Sequence, residues 1–191
     1  MVYLPDSMKT TEFDSSDEEE VGEEQQTPLE ISWLPLSVVE CSQFLGICAL
    51  PGCRYKDVRR NLQRDMGELQ AQGVQDVFVL CTRGNSTNGG VPELEQCCQI
   101  LEELLLSIEN NRKTIIHCYG GLGRSALIAA CLLQKLSVTM TPDKAIEILR
   151  QLRGGGAIQT VKQYNFLHEF REKYAAHQES KEVPCERCLS R

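Results

Sequence analysis

The apolar residues of this chain fall into short blocks, and the spacing inside each block decides between strand and helix. Ile31 to Leu36 and Phe44 to Ala49 are strand-length runs, the second apolar on both faces as a buried strand requires. Pro51, Gly52 and Cys53 mark a turn. Asp57 is placed to cap a helix running to about Gln72, with Val58, Leu62, Met66 and Leu69 as its buried stripe and Gly73 as its stop. Asp76 leads into a third buried strand, VFVLC, ending at Cys81. Residues 83–91 are polar and glycine-rich and predict a loop. Pro92 opens a helix whose stripe is Leu94, Cys97, Cys98, Leu101, Leu104, Leu105 and Ile108, which makes its two cysteines core residues. Thr114 to His117 is a short buried strand, and a helix apolar nearly all round begins near Arg124. Thr141 caps the next helix with Pro142 at its first position; Ala145, Ile148, Leu149 and Leu152 face inward and Gly154 ends it. Ile158, Gln159 and Thr160 open a last helix with Val161, Tyr164, Leu167 and Tyr174 as its stripe. Strands alternating with helices in this way predict an α/β fold, a central mostly parallel sheet flanked by helices.

Charge then separates the ends from the body. The net charge is −7 over 191 residues, and residues 12–24 alone hold eight acids and no base, so the remainder is about +1. Such a run, without apolar periodicity, is a solvated tail. The expected division is an acidic tail over 1–27, one domain over 28–177, and a polar tail over 178–191. Ser15 and Ser16 precede the acids as an acidophilic kinase would select, or the run is simply solubilising. No basic patch suits nucleic acid. The opening residues carry no signal-peptide run, and no stretch is long enough to cross a membrane. Ten cysteines without a disulfide rhythm fit reduced thiols and a cytoplasmic, perinuclear or nuclear setting. Cys185 and Cys188 form a lone C-x-x-C, half of what a zinc site needs, and no metal or other cofactor is expected.

The chemistry concentrates at residues 117–125. A strand feeding a glycine-rich loop and then a helix N-terminus makes an anion site, because amide N–H groups and the helix dipole converge there. Cys118 sits at its base. That setting lowers a thiol pKa from roughly 8.5 into the ~3.5–7.5 range, so Cys118 is expected to be a thiolate and oxidation-prone. Gly120, Gly121 and Gly123 allow the backbone to turn its donors inward. Arg124 offers a planar fork for two phosphate oxygens. Ser125 can donate to the thiolate and help it leave. His117 lies under the loop and orients backbone.

The pattern His117, Cys118, Tyr119, Gly120, Gly121, Leu122, Gly123, Arg124, Ser125 resembles the signature of the protein tyrosine and dual-specificity phosphatases. The stretches EFDSSDEE, ISWLPLS, CSQFLGICALPGC, KDVRRN and GAIQTVKQYNFLHEF extend the resemblance over about residues 10–177, to the dual-specificity phosphatases that act on cyclin-dependent kinases. It implies the cysteine-dependent phosphatase fold and a phosphocysteine intermediate. It further implies phosphothreonine, phosphoserine and phosphotyrosine as substrates, on the activation segment of a cyclin-dependent kinase. Residues 119–124 would bind the phosphate, and the turn bearing Gln159 would lie beside the loop to position substrate or water. A rhodanese-like sulfur carrier is the rival, and the arginine–serine pair after the cysteine disfavours it.

One part of that pattern is absent. Such phosphatases carry an aspartate on a loop before the catalytic strand to protonate the leaving oxygen. Here about nine residues join the strand ending at Cys81 to the helix at Pro92, too few for the helix and strand expected between them. Asn88 stands where the aspartate should, and asparagine donates no catalytic proton. Glu93 and Glu95 read as helix first-turn residues. A shortened domain is therefore expected near 83–91, lacking one strand and exposing its neighbour's edge. Loss of the acid slows turnover by ~10²–10⁴. The alternative to an enzyme is then a phosphoprotein- or kinase-binding module.

Overall fold

The computed structural model describes residues 26–81 and 90–182. Three strands carry the sheet through the middle of the domain: β2 (Phe44–Cys48), β5 (Asp76–Val79) and β6 (Thr114–His117). β6 lies between the other two and is parallel to both, with Leu45 and Asp76 on either side of Thr114 and Cys48 and Val79 on either side of His117. β1 (Ile31–Pro35) adds antiparallel to β2 and ends the sheet on that side. The order is β1-β2-β6-β5, so β5 is the opposite edge among the described residues. The mostly parallel sheet expected from the alternating blocks is present. β6 is buried at every position, as a central parallel strand with both faces covered must be.

The start of the first helix differs from expectation. Val58 and Arg59 form β4, paired antiparallel with β3 (Arg54–Tyr55). α1 spans Leu62–Ala71 and its cap is Asn61, whose side chain accepts from the Arg64 N–H, not Asp57. The hairpin uses the backbone groups a helix from Asp57 would need. Of the expected stripe only Leu69 is buried, Leu62 is exposed, and Asp65 takes the inward place, where its carboxylate accepts the Gly52 N–H at 2.8 Å. The tail boundary at 27 also moves: Thr27 donates its N–H to the Arg59 carbonyl and accepts the Arg59 N–H on its hydroxyl.

α2 (Leu94–Glu109) buries Cys97, Cys98, Leu101, Leu104 and Ile108, as its spacing predicts. α3 (Arg124–Leu136) is buried from Ser125 to Gln134 because α2, α4 and α5 surround it on the side away from the sheet. α4 (Pro142–Arg153) starts at the Thr141 cap and ends at Gly154. α5 runs Val161–Glu182, five residues past the expected boundary at 177. Its inward face is also rotated from expectation. Val161 and Tyr164 are exposed, whereas Gln163, Leu167 and Phe170 are buried. Gln163 takes a stripe position because polar partners wait for it beside the loop after β6. Asn88, Cys185 and Cys188 lie outside the described residues.

The buried face of α5 predicts a contrast in stability. Phe170→Ala should lower the unfolding free energy by about 3–5 kcal/mol, and Val161→Ala should stay within about 0.5 kcal/mol. Urea titrations of both variants followed by circular dichroism measure it, and equal losses would show the face to be misassigned.

Candidate active site

Parallel strands point their C-terminal ends at the same edge of the sheet, and the loop from Cys118 to Gly123 sits there, between β6 and α3. The five carbonyls of residues 119–123 are engaged from outside. Tyr119 O accepts the Leu50 N–H at 3.0 Å, Leu122 O accepts the Ile158 N–H at 3.1 Å, and Gly123 O accepts the Leu127 N–H at 2.9 Å. Arg153 covers the remaining two, with Nη2 to Gly120 O at 3.5 Å and Nε to Gly121 O at 3.3 Å, while its Nη1 donates to Ser32 Oγ at 2.9 Å. With the carbonyls turned out, the amides turn in, toward Cys118.

Cys118 is buried and its thiol pKa lies below the ordinary value. Burial by itself pushes the thiol up. The Ser125 hydroxyl, the backbone N–H groups of Ser125 and Gly121, and the nearby Arg124 charge together outweigh it. Ser125 Oγ stands 3.0 Å from Cys118 Sγ and is itself fully buried. Arg124 is half-buried, and its Nη1 donates to the Leu80 carbonyl at 2.8 Å, which fixes the guanidinium between the loop and the end of β5. His117 is held neutral by burial, which lowers its pKa against a hydrogen bond with the Cys118 backbone. Its buried Nδ1 has no hydrogen-bond partner among the described residues. Two thiols close to it behave oppositely: burial pushes Cys48 up to about 12 and also raises Cys81.

The three glycines are not equivalent. Gly121 has φ +71, and a Cβ there would lie 2.6 Å from Cys48 O and 2.7 Å from Arg153 Nη2. At Gly123 a Cβ would lie 2.9 Å from Gln159 Oε1 and 3.2 Å from Gln163 Nε2. Gly120 has open space, and the atoms near Gly123 are the ends of flexible glutamine side chains, so the expectation that all three are needed narrows to Gly121, whose φ is positive and whose Cβ would meet the Cys48 backbone.

Gln159 therefore stands against the loop as expected, although its residue is exposed. Its N–H donates to Gln163 Oε1 at 2.8 Å, and Gln163 Nε2 donates to Gly90 O at 3.4 Å. Gln163 thus joins the 158–160 turn to the chain just before α2. Ile158 makes its bond to the loop with φ +59, a conformation rare for a β-branched residue. Arg153 and Gln163 went unread in the sequence. A buried glutamine at an apolar stripe position of α5 was the available signal for one, and an arginine in the last turn of α4 is too common a feature to mark the other. Glu93 caps α2 without a side-chain bond and Glu95 lies in its first turn, both exposed.

The geometry combines a buried low-pKa thiol, inward amides and a fixed guanidinium. Such an arrangement suits a tetrahedral oxyanion held beside the thiol. Gly121→Ala should displace the loop and weaken oxyanion binding. For the thiol, alkylation by iodoacetamide should rise with pH to a midpoint below that of ordinary cysteines, because a lowered pKa supplies thiolate at lower pH. Ser125→Ala removes a stabilising donor and should move that midpoint upward; an unchanged midpoint would dismiss Ser125 as the donor.

Comparison with known proteins adds the ancestry. The family model for cyclin-dependent kinase inhibitor 3 matches residues 2–88 and 85–146, two stretches that meet inside the shortened segment. Cyclin-dependent kinase inhibitor 3 of Sus scrofa is 57% identical over 202 residues, covering 93% of this chain and 95% of the relative. That of Homo sapiens is 55% identical over the same length and shares. An alignment of 202 positions exceeds this chain's 191 residues, so the relatives carry internal residues that this chain lacks. A crystal structure of a kinase associated phosphatase, its catalytic-site cysteine replaced by serine, superposes with a TM-score of 0.76 at 55% identity, over 80% of this chain and 99% of that one. The active form of Tk-PTP shares the fold at TM-score 0.55 and 22% identity, over 68% and 92%. The chain belongs to the cyclin-dependent kinase inhibitor 3 family and has the cysteine-phosphatase fold.

Proposed function

We propose that this member of the family is a dual-specificity protein phosphatase acting through a phosphocysteine on the phosphorylated activation segment of a cyclin-dependent kinase. The observation that carries the reading is the Cys118 thiol held below its ordinary pKa inside a ring of inward amides, with Arg124 at its rim. Cys118 Sγ attacks phosphorus in line. The S–P bond forms as the P–O bond to the protein breaks, and the leaving oxygen takes a proton from solvent water. The amides of 119–124 and the Arg124 guanidinium stabilise the equatorial oxygens. Water then attacks the phosphocysteine, and Ser125 donates to the departing thiolate. Gln159, against Gly123, positions that water. Support for the kinase substrate comes from the relatives' name.

The place in the sequence expected to hold an aspartate donor for the leaving oxygen is occupied by Asn88. The internal residues that the relatives carry and this chain lacks favour a second reading, a module that binds phosphoprotein with little turnover. The two are separated by the leaving group. A phenolate leaves without help, whereas a threonine alkoxide leaves ~10²–10⁴-fold more slowly without a proton donor. Hydrolysis of an aryl phosphate and of a phosphothreonine peptide, each against Cys118→Ser, should show turnover of the first far exceeding the second, all of it lost in the variant. Turnover of neither by a folded protein would reject the enzyme and leave the binding module.

A further inference from the structure

The carbonyls around the loop are not all held alike. Those of Tyr119, Leu122 and Gly123 accept N–H groups of the main chain. Those of Gly120 and Gly121 depend on one side chain, Arg153, the last residue of α4. Its Nε donates to Gly121 O at 3.3 Å and its Nη2 to Gly120 O at 3.5 Å. The guanidinium lies so close that a Cβ on Gly121 would stand 2.7 Å from Nη2.

These two peptide units are also the ones least able to hold themselves. A peptide unit turns about the ψ of one residue and the φ of the next, and the 120–121 unit has glycine on both sides. Gly121 stands at φ +71. Each planar unit carries its N–H opposite its C=O. The unit whose oxygen takes Arg153 Nη2 is therefore the one whose N–H, that of Gly121, bonds Cys118. Were it to turn over, Gly120 O would face the thiolate in place of a donor. The guanidinium is itself aimed, because Nη1 donates to Ser32 Oγ on β1 at 2.9 Å and so all three of its nitrogens are bonded.

We infer that Arg153 is a positioning residue, which holds the 120–121 and 121–122 peptide units with their N–H groups turned toward Cys118 and the bound phosphate. The phosphate part rests on the phosphatase reading; the thiol part rests on the loop alone. The charge on Cys118 is supplied by Arg124, whereas that of Arg153 falls on Cys48, so Arg153 reaches Cys118 through the backbone. Lysine does not replace it, since one ammonium is a point charge and cannot span two carbonyls and the Ser32 hydroxyl.

The test is alkylation of Cys118 by iodoacetamide in the full chain, read by mass spectrometry of the peptide that carries it. It is run across pH, and at one pH with inorganic phosphate as protectant. Arg153→Ala should shift the midpoint upward, because a thiolate that loses a donor forms at higher pH, and should weaken phosphate protection about tenfold. Arg153→Lys should recover only part of either. Arg150→Ala, whose lost bond to Ala157 O at 3.2 Å lies beside the loop and not on it, should leave both readings at their wild-type values. Circular dichroism identifies the folded variants. If Arg153→Ala does not fold, Ser32→Ala removes only the third bond and should move both readings the same way by less.

A folded Arg153→Ala with wild-type midpoint and protection would overturn the positioning role and leave the phosphatase reading standing; unmoved readings in Ser32→Ala would decide the fallback in the same sense. Full recovery by Arg153→Lys would reduce the effect to charge, and an equal shift in Arg150→Ala would reduce it to a loosened helix end; either sinks the role. A midpoint raised by Arg153→Ala, with phosphate protecting neither protein, would keep Arg153 as the holder of the thiol's donor and reject the phosphatase reading.

Discussion

Everything at this site depends on the direction in which five carbonyls point. A peptide unit places its N–H opposite its C=O, so a loop can aim its amides at a bound anion only if its oxygens are satisfied elsewhere. Here the Leu50, Ile158 and Leu127 N–H groups and the Arg153 guanidinium supply those partners, from the turn after β2, the turn before α5, the first turn of α3 and the end of α4. The helices and the sheet can therefore be seen as the frame that brings four distant donors to one loop. Removing any one frees an oxygen to turn inward, where it would oppose both the thiolate and a phosphate.

The same arrangement explains why so much, and not all, was legible in the sequence. His117 to Ser125 are consecutive, and a strand, a glycine loop and an all-apolar helix are local patterns, so Cys118 and Arg124 could be placed on one loop at once. Gln159 was reachable through resemblance. Arg153 and Gln163 were not, because their roles depend on where α4 and α5 dock, and docking is settled by side chains far apart in the chain. The missed start of α1 has the same origin. Asp57 is a sound cap by local rules, but Val58 and Arg59 are taken by β3, and Arg59 also exchanges backbone and side-chain bonds with Thr27. On α5 the 3.6 period holds and the phase shifts, since the apolar pattern puts Tyr164 in the stripe whereas the structure buries Gln163 and exposes Tyr164.

The internal residues that the relatives carry and this chain lacks fall between β5 and α2. Among the described residues no strand pairs with the outer side of β5, and Phe78, Val91 and Ile100 line the groove between it and α2. Arg124 reaches this region, bonded to the Leu80 carbonyl just past β5 and facing the loop.

Ile158 shows what this geometry demands of heredity. A β-branched residue at φ +59 is strained by an amount on the order of 1–3 kcal/mol, a sizeable share of the ~5–15 kcal/mol that holds a typical domain together. Its side chain nevertheless is buried, and its amide holds Leu122 O. Drift toward asparagine at this position would relieve the backbone and empty the core; drift toward glycine would relieve it and loosen the turn. The position is one where selection for durability and selection for a well-aimed loop choose different amino acids, so a lineage freed from one of those demands would record it there first.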